Sequence, residues 1–224
     1  MRGKLDIAGL VLGFIGLIGA ATVTGLPMWK VTAFIGASLI VMETQWDGLW
    51  MNCYMQMNIR MQCKVYDSQL ILPPELQAAR GLMCVSVLLT IAALLVAFCG
   101  TRRTNCFGDD ARGKRITLGL GGGLFLLACL TTLIPVCWTA HSIISNFYNP
   151  EVVDSQKHEL GEALYLGWAT AGVLLAAGAI LVYRSTSRTH EMYHVEPVLM
   201  SEEDYHDVEL QRQPSSSYSR KEYV

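Results

Sequence analysis

Seven cysteines stand along the chain, and what each can do depends on its neighbours. No two form the Cys-x-x-Cys pair of dithiol redox catalysis, and no Cys or His cluster offers zinc its ligands at regular spacing. No nucleophile has a base beside it, so nothing points to covalent catalysis. The chain reads as a non-enzyme for which no cofactor is expected. What remains is Cys53 and Cys63, which can form a disulfide only if both face an oxidising compartment.

Which compartment they face is decided by the membrane. The 224 residues are 52% hydrophobic and 16% charged, with a net charge of -2, a balance that argues against a soluble enzyme. The absence of a large basic block excludes nucleic acid as a partner. Four stretches, Ile7 to Pro27, Gly81 to Thr101, Ile116 to Ala140 and Ala163 to Tyr183, contain no Asp, Glu, Lys, Arg or His. Each is about as long as the ~20 residues a bilayer-spanning helix needs. They are apolar on every side, whereas a core helix of a soluble protein keeps a polar face. The first begins behind Arg2 and Lys4 like a signal peptide, but it outruns the usual core of ~7 to 15 residues and lacks a clear cleavage site before Trp29. It is therefore read as a retained span.

Basic residues flanking membrane helices stay in the cytoplasm. Arg2, Lys4, Arg102, Arg103, Arg112, Lys114, Arg115, Arg184 and Arg188 all fall on one side. Both termini are thus expected in the cytoplasm, with extracellular loops at 28–80 and 141–162. The expected architecture is α+β and integral to the membrane. A four-transmembrane-helix bundle, its helices at about 7–27, 81–101, 116–140 and 163–183, carries an extracellular antiparallel β-sheet. Residues 1–184 form the membrane domain and 185–224 a disordered cytoplasmic tail, poor in apolar residues and containing Glu202, Glu203, Asp204 and Ser215 to Ser217.

The membrane helices carry no carboxylates or basic groups of the kind that mark proton relays and ion pathways, so any ion route is expected through the extracellular part. Gly9, Gly13, Gly16 and Gly19, then Gly119 and Gly121 to Gly123, either let helix backbones approach closely or reflect the general abundance of glycine in membrane helices. Trp29, Val31 and Ala33 alternate with Lys30 and Thr32, and Leu39 to Thr44 is rich in β-branched and apolar residues, both strand signals. Met51 to Met57 and Met61 to Tyr66, separated by Asn58, Ile59 and Arg60, suit a hairpin. Cys53 and Cys63 are the only cysteines in an extracellular loop, so a disulfide should bridge these strands. It would stabilise the sheet by about 2 to 4 kcal/mol.

Cys84, Cys99, Cys129 and Cys137 fall within helices as small apolar groups. Cys106, on the basic cytoplasmic side, is either a site of reversible palmitoylation or an idle thiol. Phe147 and Tyr148, ahead of Asn149 and Pro150, either anchor a partner or sit at the lipid interface. The final Lys221, Glu222, Tyr223 and Val224 suit addition to the sheet edge of a PDZ domain.

Trp29, then Gly48, Leu49 and Trp50, then Cys53 and Cys63 together resemble the signature of the claudin family. The likeness extends through Arg80, Phe147, Tyr148 and Pro150 to Tyr223 and Val224. Within the family, Trp50 to Ser68 looks most like the claudin eight and seventeen branch. The resemblance implies a five-stranded sheet on the bundle and plasma-membrane localisation at tight junctions. It also implies polymerisation with other claudins in cis and in trans, attachment to PDZ scaffold proteins, and a role in sealing the paracellular space. By the same likeness Trp29, Gly48, Leu49, Trp50 and Arg80 anchor the sheet, Phe147 and Tyr148 take trans adhesion, and Cys53 and Cys63 take the disulfide.

Lys64 matches the position of a selectivity charge, which implies a cation barrier or an anion-preferring path. Two unit charges ~4 Å apart interact by about 1 kcal/mol in bulk water and about 4 kcal/mol at an effective dielectric of 20. One lysine at a narrow site can therefore discriminate ions several-fold. Arg60 adds to its field and Asp67 opposes it.

The chain departs from the family where Arg103 stands in place of the first of a cysteine pair, leaving Cys106 alone. The alternative is a non-channel adhesive or regulatory member of the wider claudin superfamily. Tetraspanins and connexins fit poorly, because the former place their large cysteine-rich loop second and the latter need several cysteines in both loops.

Overall fold

In hydrocarbon every backbone N–H and C=O must be bonded within its own segment, which leaves an apolar stretch little choice but helix. The structure, a computed structural model, describes residues 2–33, 43–56, 60–67, 73–101, 111–152 and 157–211. Its helices are α1 (Arg2–Gly25), α2 (Pro74–Cys99), α3 (Ala111–Tyr148) and α4 (Glu162–Gln211). Each is long and apolar enough to cross a membrane, over candidate spans of 21, 26, 37 and 26 residues. At 1.5 Å per residue even the shortest crosses the ~30 Å hydrocarbon core. Pro74 opens α2, at a position where a missing N–H goes unnoticed.

The helices run past the uncharged stretches. α2 begins at Pro74 rather than near residue 81, and α3 continues to Tyr148 rather than ending near 140. Asn146, Phe147 and Tyr148 therefore occupy the last helical turn and not a loop, and the chain turns only at Asn149 and Pro150. Missing charge marks the part of a helix that lies in lipid. The i→i−4 ladder closes equally well in water, so it leaves no such mark where the helix emerges.

The chain forms two compact units, Met1–Ser185 and Thr186–Val224. In the second, the backbone is helical as far as Gln211. Scarcity of apolar residues argues against a packed core, whereas a helix needs only local hydrogen bonds. Cys106, Tyr223, Val224 and the stretch 34–42, which includes most of the Leu39–Thr44 strand signal, lie outside the described residues.

Within the bundle, small residues set the spacing. A Cβ added at Gly9 would lie 2.7 Å from Leu181 Cδ2, at Gly16 2.5 Å from Leu174 Cδ2, and at Gly19 2.5 Å from Thr170 Oγ1. Gly13 faces the Phe125 ring just as closely. The glycine stripe of α1 thus seats that helix against α4 and the α3 phenylalanine. On α3, Gly121 meets Ala97 and Gly122 meets Val182, while Gly123 faces open space, so one of these glycines has no packing role. Phe125, Leu118, Leu174 and Leu181 are fully buried here with Ala93, Ala97 and Ala177. Ser86 and Thr132 hydroxyls, 2.6 Å apart, join α2 to α3, and Arg184 Nε donates to Asp6 Oδ1 over 3.1 Å across α4 and α1.

Among the described residues, five short strands cap one end: β1 (Lys30–Thr32), β2 (Glu43–Asp47), β3 (Met51–Gln56), β4 (Arg60–Val65) and β5 (His158–Leu160). They form one antiparallel sheet in the order β4-β3-β2-β1-β5. The hairpin falls where the methionine-rich runs predict it, with Cys53 opposite Cys63 and the two bonded. β5 comes from between α3 and α4, so the sheet draws on both connections at this end. Gly161 ends β5 beneath β1, where a Cβ would collide with the Met28 carbonyl. Only glycine lets the chain pass there into α4.

Candidate functional site

The sheet stands on the bundle through side chains that bond to carbonyls at helix ends. Trp29 is fully buried, and its Nε1 donates to the Val23 carbonyl in the last turn of α1 over 3.0 Å. Trp50 Nε1 donates to the Thr24 carbonyl over 2.8 Å. Leu49 is fully buried in the same cluster as Trp29. Gly48 brings the backbone so close to Pro27 that a Cβ would collide with its Cα.

From α2, Arg80 Nε donates to the Leu49 carbonyl. Its guanidinium lies 5.3 Å from the centroids of both the Trp50 and the Tyr66 rings, within cation–π range of each. Tyr66 donates its hydroxyl to the Gly48 carbonyl over 3.1 Å. Burial pushes the Tyr66 hydroxyl far above its ordinary pKa, the Asp47 carboxylate adds to this, and Arg80 opposes it. The phenol therefore stays a neutral donor. Trp29, Gly48, Leu49, Trp50 and Arg80 thus converge on one cluster, with Val23, Leu76, Met83 and Leu164 packed beneath.

Tyr66 belongs to this cluster although the sequence marks it only as a strand end. The same is true of Lys30, whose Nζ bonds Glu75 Oε1 at 3.0 Å with both side chains largely buried. The pair ties β1 to the first turn of α2. Their separation in sequence hides them, since a strand lysine and a helix-start glutamate are each ordinary in isolation.

One sheet face carries a polar row. Lys64 stands opposite Asn52, Asn52 opposite Asp47, and Asp47 opposite Lys30. Direct cross-strand partners share a face, because side chains alternate along each strand. Lys64 is exposed and forms a 2.5 Å ion pair with Asp67, both side chains 73% accessible. That contact raises the Lys64 pKa, first through the hydrogen bond and then through the carboxylate charge, so the ammonium stays protonated at neutral pH.

Asn52 Oδ1 is buried without a partner among the described residues. Asp47 accepts from Gln45 Nε2 at 2.9 Å and lies 3.3 Å from His158 Nε2. Burial pushes its carboxyl upward, but hydrogen bonds from His158 and Gln45, aided by the charges of His158 and Lys30, more than offset this and hold it below the usual value.

At the far edge of the sheet the end of α3 presents Phe147 and Tyr148, edge to face with centroids 5.5 Å apart. Tyr148 is 78% exposed, and Lys157 Nζ lies 5.9 Å from the Phe147 ring. A cavity of about 390 Å³ opens beside them, lined by Ile143, His158, Leu160 and Tyr165. Of that lining, Ile143 belongs to the buried cluster that contains Trp29 and Leu49, and Leu160 packs against it. Among the described residues no group of three His, Cys, Asp or Glu side chains is placed to hold a metal.

Four membrane-length helices carrying a disulfide-closed sheet, held at its root by indole, phenol and guanidinium contacts, define a four-span membrane protein with one folded, water-facing end. The family model described as PMP-22/EMP/MP20/Claudin matches residues 4–181, and the chain belongs to that family. It is 54% identical over 177 residues to claudin-17 of Sus scrofa, covering 79% of each chain. To claudin-8 of Mus musculus it is 46% identical over 223 residues, covering 98% of each. To claudin-3 of Canis lupus familiaris it is 52% identical over 181 residues, covering 81% of this chain and 83% of the other. Two of these relatives come from the branch that Trp50 to Ser68 resembles. As a member of this family the chain is a structural membrane protein and not an enzyme.

Proposed function

We propose that this chain is a tight-junction claudin that polymerises into strands, seals the paracellular space and biases the remaining ion flow against cations through Lys64. Kinship with claudin-17, claudin-8 and claudin-3 supports the junctional role. The single observation that carries the selectivity is the exposed Lys64 ammonium on the polar sheet face. Its pairing with Asp67 does not cancel it. An ion pair exposed on both sides is weakened by the surrounding water, so a passing anion can compete for the lysine. Loss of Asp67 should sharpen the bias and loss of Lys64 should abolish it.

In this reading residues 1–184 lie in the plasma membrane with both termini in the cytoplasm and the sheet outside. Trp29, Gly48, Leu49, Trp50 and Arg80 anchor the sheet. Phe147 and Tyr148 meet a claudin of the opposing cell, Tyr148 being the most exposed aromatic of that ridge. Cys106 carries an acyl group, and Tyr223 with Val224 engages PDZ scaffolds.

The decisive experiment compares sodium-to-chloride dilution potentials across epithelial monolayers expressing the wild-type chain, Lys64→Glu and Asp67→Asn. The expected result is a several-fold shift toward sodium for Lys64→Glu and a smaller opposite shift for Asp67→Asn. An unchanged ratio for Lys64→Glu, with the variant present at cell contacts, rejects the selectivity assignment and leaves an adhesive member.

A further inference from the structure

Arg80 is not fully used by the anchor. Its Nε is bonded to Leu49 and its Cζ lies over the Trp50 and Tyr66 rings, but its Nη groups have no acceptor and no carboxylate partner among the described residues. A guanidinium is always charged and presents a fork that matches a phosphate oxygen pair. Here the fork borders a cavity of about 390 Å³ lined by Trp50, Gln77, Arg80, Gly81 and Cys84.

The place of that cavity along α2 is informative. Arg80 is the last charged residue before the uncharged stretch that starts at Gly81, so it sits at the boundary between headgroups and hydrocarbon. Gln77, Gly81, Cys84 and Leu88 are all exposed and fall on one stripe by helical spacing. The stripe is polar, then open, then apolar, in the order of a lipid's headgroup, glycerol and acyl chain. At Gly81 a Cβ would meet nothing within 4 Å, leaving a slot beside the guanidinium. The Trp50 ring, partly exposed with its N–H already bonded inward, is the kind of group that favours the membrane interface.

We infer that this cavity is a binding site for a phosphodiester lipid of the leaflet on the sheet side, its phosphate on the Arg80 Nη groups and one acyl chain along Gly81, Cys84 and Leu88. A lipid held there touches Trp50 and Arg80 together, so its occupancy steadies the sheet's attachment to α2. The inference is independent of the paracellular selectivity of Lys64.

The test is native mass spectrometry of the full chain released from detergent, titrated separately with dioleoyl phosphatidylcholine, dioleoylglycerol and water-soluble glycerophosphocholine. One equivalent of phosphatidylcholine should bind the monomer about tenfold more tightly than dioleoylglycerol, as a charge-assisted bidentate contact implies. Because Arg80→Gln also disturbs the anchor, Gly81→Leu is the sharper variant. It fills the slot from a position without neighbours and should reduce phosphatidylcholine binding to the dioleoylglycerol level while the disulfide and circular dichroism stay unchanged. Equal binding of the two lipids, or full retention of phosphatidylcholine by Gly81→Leu, overturns the inference. Glycerophosphocholine binding as tightly as the lipid overturns the acyl contact. An effect of Gly81→Leu confined to a dimer peak assigns the slot to a second copy instead.

Discussion

The middle of the bundle and the root of the sheet each bury a cluster of apolar side chains, yet different interactions hold them. In the middle, Gly9, Gly16 and Gly19 lie against Leu181, Leu174 and Thr170, and cohesion comes from shape. Lipid offers a leucine nothing worse than another helix does, so contact distance and a few hydroxyl bridges such as Ser86 to Thr132 are what remain. At the root, water competes for every polar group and the apolar gain returns. Buried Trp29 and Leu49 contribute area, while the Trp29, Trp50, Tyr66 and Arg80 donors take up carbonyls where helix and strand ladders end. Close approach thus sets the spacing of the helices, and directional donors orient the sheet upon them.

The strongest way to break this contrast is at the root. Trp29→Ala should cost about 3 to 5 kcal/mol, the usual range for emptying a fully buried aromatic site. The sheet should then detach, with loss of cell-contact localisation and a lowered thermal midpoint in detergent. Trp29→Phe keeps most of the apolar area but loses the bond to Val23, and should recover all but about 1 kcal/mol. If the two variants are equally damaged, the hydrogen bond and not the area holds the root.

The bundle should respond to size alone. Gly16→Leu drives a side chain into Leu174 and should cost about 1 to 3 kcal/mol by overpacking, read as a lower thermal midpoint with the sheet disulfide intact. Gly123→Leu, facing open space, should be near neutral. A large loss at Gly123 would show that glycine serves the bundle through something other than contact distance.

The smallest expected effect concerns acid. The Asp47 carboxyl titrates below its ordinary value in the folded chain, so the folded state binds its proton less readily than the unfolded one. Its stabilising contribution is fully present above about pH 4, near the unfolded carboxylate value, and is lost as pH falls through the lower folded value. The thermal midpoint of wild type should therefore drop on acidification over that window more than that of Asp47→Asn. An identical acid response in both would remove Asp47 from the contacts that join β2 to β5.

Much of this architecture could be read along the chain. Uncharged stretches located all four helices, and alternation with a methionine-rich pair of runs located the hairpin that Cys53 and Cys63 close. The ends of α2 and α3 cannot be located this way, so the uncharged stretches put Phe147 and Tyr148 in a loop whereas they lie on a helix. The position of β5 cannot be located this way either, because a three-residue strand is too short to show a period and forms only where β1 offers an edge. In the candidate site the tryptophans, the cysteines and Arg80 stand out by type and spacing. Tyr66 does not, because a tyrosine after a strand is common and only the Gly48 carbonyl and the Arg80 plane give it a task.

What the sequence determined by itself was therefore everything local or governed by solvent: which segments must be helical in lipid, which strands pair through a short turn, and which two cysteines pair across it. Tertiary structure alone decided the pairings between distant positions. Lys30 meets Glu75 across 45 residues and Arg184 meets Asp6 across 178, while the Arg80 fork is left open at the membrane boundary. The physical reason is that an ion pair or a stacked guanidinium needs two groups within a few ångströms, and no periodicity along one chain records how separate elements are brought together.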